Sequence, residues 1–314
     1  MGFLLARLHW PSVPALAYNS PIASTREEVE VPELPEVETI VRDLRPLLVG
    51  RRLATVTRVG SLQLRRPWLE DWHSRLLECR ILEASRRGKW ILLRLDSGAH
   101  LVVHLGMTGR LLVAAGDAPQ EPHTHLVFDL DEPGRQLRFS DIRRFGCAVL
   151  IPDDAALEAF HRDNALGPEP FDLDPTAWRA SLKATTRVIK GVLLDQTVVA
   201  GVGNIYADEA LFQARLHPGR RAGDLKPVEA DRLREAVVHV LTEAIEHRGS
   251  TIRNYVGGGG LAGGYQDEFR AYGRTGLPCP RCETPITMFR VGGRSSHFCP
   301  RCQPAPRKPL AKKP

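Results

Sequence analysis

Apolar positions along this chain change period three times, and each change marks a different kind of element. Val37, Ile40, Val41 and Leu44 recur at three- and four-residue intervals, which places them on one face of an α-helix. Pro35 suits the first turn of that helix, Glu33, Glu36 and Glu38 suit its positive end, and Gly50 supplies a stop. From about residue 52 to 150 the pattern shortens to alternating or fully apolar runs, among them Trp90 to Leu95, Leu101 to Leu105, Leu126 to Leu130 and Cys147 to Ile151. Gly, Asp and Pro separate these runs, so this half predicts a β-sandwich with a leading helix. Turn formers then gather in Asn164-Ala165-Leu166-Gly167-Pro168-Glu169-Pro170, a linker signal. Helical periodicity returns over Pro175 to Ala184, Lys190 to Gln196, Asn204 to Gln213 and Pro227 to Arg248.

The pattern predicts an α+β multidomain protein. An extension covers 1–31, a β-sandwich domain with flanking helices 32–160, a linker 161–175 and a mainly helical domain 176–270. A cysteine-rich hairpin follows over 271–303, then a basic, disordered tail over 304–314. Residues 257–264 read Gly-Gly-Gly-Gly-Leu-Ala-Gly-Gly, a loop with little conformational restriction. The extension carries only a short apolar run, Phe3 to Ala6, with prolines at 11 and 14, too little for a secretory signal. The expectation is that it is removed or never translated, with Val31 as the initiating position.

Composition narrows the function. The 314 residues are 43% hydrophobic and 6% aromatic, enough for two cores. A formal net charge of +6, with a pI near 9.1, favours a polyanionic partner. No run of ~18 apolar residues occurs, which argues against a transmembrane helix and for no membrane partner.

Four of the six cysteines form Cys279-x2-Cys282 and Cys299-x2-Cys302. Each knuckle sets two thiolates on one side of a turn, and two knuckles on a hairpin close a tetrahedral zinc site. Four sulfur ligands leave no position for water, so the ion is structural and any chemistry lies elsewhere. His297, between the pairs, reads as a packing residue, and Cys79 and Cys147 as buried ones. Metal-binding rather than paired cysteines indicate a reducing, cytoplasmic setting.

Several further motifs stand in order from residue 32 to about 303: Pro32-Glu33-Leu34-Pro35-Glu36-Val37-Glu38-Thr39, Lys89 after Arg86-Arg87-Gly88, and His104-Leu105-Gly106-Met107-Thr108-Gly109. Arg143-Arg144-Phe145-Gly146 and Gly201-Val202-Gly203-Asn204-Ile205-Tyr206-Ala207-Asp208-Glu209 follow. Together with the zinc pattern they make the chain closely resemble the formamidopyrimidine-DNA glycosylase family. The resemblance implies a bacterial, nucleoid-associated monomer acting on damaged double-stranded DNA. It implies a helix-two-turns-helix element in the helical domain and a zinc-ribbon hairpin after it. It also implies a bifunctional glycosylase and abasic-site lyase that releases 8-oxoguanine opposite cytosine and ring-opened formamidopyrimidines, then cuts by β,δ-elimination.

The resemblance assigns Pro32 as nucleophile, Glu33 as general acid, Lys89 to proton transfer and Arg294 to phosphate binding and δ-elimination. Met107, Arg143 and Phe145 would fill the gap left by the extruded nucleotide. Asn204, His123 and Lys190 would contact the backbone, Tyr265 would belong to the loop that closes on the lesion, and Glu36 and Glu209 match acids near the site. An N-terminal proline has an independent rationale: its secondary amine attacks a sugar carbon to give an iminium with no N–H to lose, a persistent electron sink. An α-amino pKa of roughly 7.7–8.0 leaves a useful neutral fraction near pH 7. Inside a peptide bond the same nitrogen is inert. Two other readings are an endonuclease VIII-like enzyme for oxidised pyrimidines and, if Pro32 stays acylated, a non-catalytic zinc-ribbon DNA-binding protein.

Overall fold

In a computed structural model, residues 32–59, 66, 68–250 and 263–305 are described. The expected extension over 1–31, the glycine-rich run up to residue 262 and the tail from 306 lie outside the described residues. Helix α1 (Leu34–Leu48) opens the fold. Strands β1 (Leu53–Arg58), β2 (Ile81–Arg87), β3 (Trp90–Leu95), β4 (His100–His104), β5 (Gly109–Ala115), β6 (Thr124–Leu130), β7 (Arg135–Asp141) and β8 (Cys147–Ile151) follow. They form two four-stranded antiparallel sheets, ordered β1-β6-β7-β5 and β2-β3-β4-β8. The predicted sandwich is therefore present. Its core takes Leu93, Val103, Leu111, Phe128, Phe139 and Val149 from the two sheets, with Val37, Ile40, Val41 and Leu44 of α1 laid against them.

Two helices were not anticipated from the sequence. α2 (Asp71–Leu76) is short and buries Trp72 and Leu76. α3 (Asp154–Asp163) starts at Asp153, whose side chain accepts from Ala156 N, and runs across the boundary expected at 160. Its Phe160 belongs to the sandwich core, whereas Leu173 belongs to the next one, so the cores change hands in the segment between.

The helical half contains α4 (Pro175–Lys183), α5 (Ile189–Leu193), α6 (Asn204–Gln213) and α7 (Pro227–Glu246). α5 is shorter than its sequence pattern suggests, and the others match theirs within two residues. α6 is buried almost all round, from Ile205 to Phe212, because it packs on α7 on one side and on the terminal hairpin on the other. That hairpin is β9 (Thr287–Val291) and β10 (Arg294–Phe298), joined by Gly292 and Gly293 at φ +56° and +80°. Such a two-residue turn needs positive φ at both positions, which glycine adopts without strain. No helix among the described residues is long and apolar enough to cross a membrane.

Candidate active site and metal centre

The start of α1 does not belong to the sandwich core that the rest of the helix serves. Leu34 joins the helical core, and its N–H donates to Gly201 O at 3.1 Å. This docking carries Glu33 into the junction of the two lobes, where it is 3% exposed. Glu33 Oε1 accepts from Ile205 N at 3.0 Å, in the first turn of α6, so the positive end of that helix faces a carboxylate. Gly203 makes the approach possible, since a Cβ there would lie 2.2 Å from Glu33 Cδ. Gly203→Ala is accordingly expected to displace the Glu33 carboxyl and to cost about 1–3 kcal/mol of overpacking, read as a lower urea midpoint.

Glu36 braces the same point. Its Oε2 accepts from Glu33 N at 2.9 Å, while Oε1 accepts from Ser250 N at 2.8 Å and from the Tyr206 hydroxyl at 2.5 Å. Burial pushes the Glu33 carboxyl up to about 7, helped by the Glu36 charge and opposed by Lys89 and the amides of Ile205 and Tyr206. Its Oε2 is buried without a hydrogen-bond partner. Pro32, the residue before it, is half-buried.

Lys89 arrives from the sandwich, at the tip of the β2–β3 hairpin. Gly88 takes the positive φ, +57°, at the first position of the two-residue loop. Glu169 of the inter-lobe segment clamps this loop, accepting from Gly88 N at 2.6 Å, Arg86 Nη1 at 2.6 Å and Arg87 Nη1 at 2.8 Å. Arg86 also donates from Nε to Glu38 of α1 at 2.9 Å. Burial lowers the Lys89 pKa, against the pull of the Glu33 and Glu36 carboxylates and with help from the Arg294 guanidinium. Arg294 itself is exposed, at the start of β10. Pro32, Glu33, Lys89 and Arg294, from three separate parts of the chain, thus come to one place.

Met107 is half-buried in the β4–β5 turn, while His123, Arg143 and Phe145 are exposed on neighbouring loops. The Arg143 guanidinium lies 4.8 Å from the centre of the Phe145 ring, which is 45% exposed. These four residues are free of the core and presented together.

Four expectations need correction. Lys190 does not reach solvent: it is 0% exposed, its ammonium pairs with Asp208 at 2.7 Å, and it also donates to Ser295 O. Asp208 in turn accepts from His297 N at 2.9 Å and contacts His297 Nδ1 at 3.0 Å. The lysine is spent joining α5, α6 and β10, because a buried ammonium needs a fixed counter-charge. Tyr265 is likewise a core residue, 2% exposed and packed on Tyr206 and Phe269. The α6 amide of Ile205 is engaged by Glu33 rather than left for phosphate. Asn204 bonds Ser295 Oγ at 3.1 Å through Nδ2, its Oδ1 buried and unpartnered. Glu209 is structural: it accepts from Arg270 N at 3.0 Å, Ala271 N at 2.9 Å and Tyr272 N at 2.7 Å, tying α6 to the segment before the cysteines.

The cysteines converge as their spacing predicts. Four Sγ atoms lie within 4.8 Å of one another, with Cys282–Cys302 at 3.4 Å, Cys282–Cys299 at 3.5 Å and Cys279–Cys302 at 3.9 Å. A tetrahedron of Zn–S bonds near ~2.3 Å sets sulfurs about 3.8 Å apart, so the donor set fits zinc. Arg281 N donates to Cys279 Sγ at 3.4 Å and Cys302 N to Cys299 Sγ at 3.3 Å, as anionic thiolates require. His297, held by Asp208, is not a ligand.

Residues that sequence reasoning missed share one property, a partner far away along the chain. Glu169, Tyr206, Ser250, Asp208 and Asp141 are ordinary polar letters until the fold gives them neighbours.

Comparisons with known proteins agree with this geometry. Three family models match in order: the formamidopyrimidine-DNA glycosylase N-terminal domain over residues 31–148, the formamidopyrimidine-DNA glycosylase H2TH domain over 166–256 and a zinc finger found in FPG and IleRS over 276–305. The formamidopyrimidine-DNA glycosylase of Moorella thermoacetica is 49% identical over 263 residues, covering 83% of this chain and 95% of that protein. That of Desulforamulus reducens is 45% identical over 269 residues, with the same shares. Lactococcus lactis Fpg bound to DNA containing an abasic site superposes with a TM-score of 0.81 at 37% identity, over 87% of this chain and 100% of that one. MutM bound to DNA containing carbocyclic 8-oxo-G gives 0.81 at 36% identity, over the same shares. The chain belongs to the formamidopyrimidine-DNA glycosylase family.

Proposed function

We propose that this protein excises oxidised purines from double-stranded DNA and cleaves the resulting abasic strand, with Pro32 as nucleophile in a polypeptide that begins there. The observation that carries the reading is the buried Glu33 carboxyl beside Pro32, with Oε1 held by Ile205 N and Oε2 without a hydrogen-bond partner, its pKa raised by burial and opposed by the nearby Lys89 charge. Support for the lesion class comes from the solved relatives, which hold DNA with 8-oxo-G or an abasic site. The family match beginning at residue 31 supports the start.

The neutral Pro32 amine attacks C1′ of the damaged nucleotide, and Glu33 gives its proton to the departing base or the opening sugar oxygen. The C1′–N bond electrons leave with the base, the attacking amine gives up its proton, and the Pro32 lone pair then opens the C1′–O4′ bond, whose oxygen takes a proton, to give an iminium. Removal of a C2′ proton sends its electron pair into the iminium to give an enamine, which then forms the C2′–C3′ double bond, expels the 3′ phosphate with the C3′–O electrons and restores the iminium. Lys89, whose pKa burial lowers, is the group placed to shuttle that proton. Arg294, permanently charged, clamps phosphate. Met107, Arg143 and Phe145 enter the gap in the stack, with His123 on the same rim near the backbone. Zinc, when bound by Cys279, Cys282, Cys299 and Cys302, holds the hairpin that carries Arg294. The protein acts as a monomer.

A pH profile tests the acid. Glu33 must be protonated to serve, so its competent fraction falls about tenfold per unit above pH 7. Glu33→Gln is expected to lower single-turnover release of 8-oxoguanine by about a hundredfold or more and to abolish this limb. A folded-state pKa above the ordinary 4.5 means that the native state binds the extra proton. The associated stability is present below pH 4.5 and lost as pH rises through about 7, so the wild-type urea midpoint should drop across that window more than the variant's. Wild-type turnover in Glu33→Gln would sink the assignment. Faster capture on thymine glycol than on 8-oxoguanine would move the enzyme to the oxidised-pyrimidine class.

A further inference from the structure

Met107, His123, Arg143 and Phe145 sit on three different connections, yet one buried residue is hydrogen-bonded to all three. Asp141, the last residue of β7, is 1% exposed. Its Oδ1 accepts from the Thr108 hydroxyl at 2.5 Å and from Arg143 N at 3.2 Å, and its Oδ2 accepts from Gly146 N at 2.7 Å. Thr108 Oγ1 also accepts from Arg143 N at 3.1 Å. Asp141 N donates to His123 O at 3.0 Å, and Asp141 O accepts from His125 Nε2 at 2.9 Å. Every residue expected on the DNA-facing rim is therefore bonded to Asp141 or adjacent to one that is.

The two wedge-bearing loops also meet backbone to backbone. A Cβ on Gly106 would lie 2.5 Å from Gly146 N, and one on Gly146 would lie 2.7 Å from His104 O. Contact that close leaves no side chain to hold the loops in register, and a carboxylate with donors on both oxygens takes that role.

We infer that Asp141, with Thr108, is the positioning residue that sets Met107, Arg143 and Phe145 at the mutual spacing needed to replace an extruded nucleotide. The inference rests on the gap-filling reading of those three side chains. It adds a cause that the reading lacks, namely why residues from separate hairpins enter one gap together. Exposed side chains on unclamped loops would have to be ordered during insertion, at an entropic cost that a preset rim avoids.

Asparagine has one acceptor where aspartate has two, so in Asp141→Asn an NH2 must face either Gly146 N–H or Arg143 N–H, and the β7–β8 connection loses one of its two bonds to this side chain. The test compares single-turnover excision of 8-oxoguanine paired with cytosine against cleavage of a preformed abasic site, where leaving the stack is least costly. In Asp141→Asn and in Thr108→Val, lesion excision is expected to fall about tenfold or more while abasic cleavage changes by less than about threefold, a differential of at least about 0.7 kcal/mol. Thr108→Ser, which restores the hydroxyl, should return the wild-type ratio. Thr108→Val keeps the proposal testable if Asp141→Asn folds poorly. Equal loss on both substrates would mean a purely structural role and would overturn the inference, as would a wild-type ratio in both variants. Met107→Ala separates the two layers. A split there with none in Asp141→Asn and Thr108→Val removes the clamp alone, whereas no split in Met107→Ala removes the gap-filling reading together with the clamp.

Discussion

Protein that begins at Pro32 is expected to be captured covalently by borohydride on duplexes carrying 8-oxoguanine, and protein that retains residues 1–31 is expected to bind the same duplex with no capture. The difference is absolute in kind because acylation turns a nucleophilic amine into an amide. Lys89 is a second amine at the site, its pKa lowered chiefly by burial, but the part proposed for it is proton transfer, so it is not expected to replace Pro32 as nucleophile. Pro32→Gly, started at the same position, keeps an amine but loses the ring and the secondary nitrogen. It is expected to slow base removal on the order of a thousandfold or more while abasic-site binding persists. The intact mass of protein made from the native gene reports the first residue directly. Untrimmed polypeptide that still incises damaged strands would defeat the amine mechanism outright.

Metal removal should produce the second-largest effect, and by a different route. The hairpin has a very small apolar core of its own, Phe212, Ala271, Cys279, Ile286 and Cys299, of which one residue is borrowed from α6 and two are ligands. A unit that small cannot offset its chain entropy by burial alone, and zinc supplies apparent folding energy of roughly 10–16 kcal/mol in isolated fingers. Cys282→Ser is expected to carry no zinc by elemental analysis and to bind abasic-site DNA at least about tenfold more weakly, a loss of about 1.4 kcal/mol or more. Arg294 is the reason: it reaches the Lys89 site only from a formed β9–β10 turn. The helical lobe should survive, since Asp208 and Glu209 contact the hairpin from the outside of a helix with its own core. Full zinc loss with unchanged DNA affinity would remove the metal from the functional account.

How much was legible beforehand depended on the range of the interaction. β3, β8 and α6 fall on their sequence patterns residue for residue, because a local period and a local stop define each of them. The zinc ligands were legible for the same reason, since each knuckle is four residues long. α2 was not, because six residues span too few turns to show a period, whereas α3 does carry a helical pattern, with Asp153 at its cap and Ala156, Leu157 and Phe160 at helical spacing. Lys190 and Tyr265 show the limit most clearly. A lysine and a tyrosine within a DNA-binding family invite a contact role, but Lys190 meets Asp208 18 positions on and Ser295 105 positions on, and both bonds are buried.

Local sequence pattern was enough for the alternation of sandwich, helices and hairpin, the four-sulfur metal site and the family, and it singled out Pro32 and Glu33 as the proposed nucleophile and acid. The tertiary structure alone decided which charged side chains face solvent and which are consumed inside. It buried Glu33 against the first turn of α6, 172 residues away, and that burial raises the carboxyl to about 7 although the Ile205 amide opposes it. It also set Glu169 under the Lys89 turn and Asp141 beneath the rim. The physical reason is that periodicity and knuckle spacing are properties of neighbouring residues. Burial, counter-charge and pKa belong to partners that only the folded chain brings within a few ångströms.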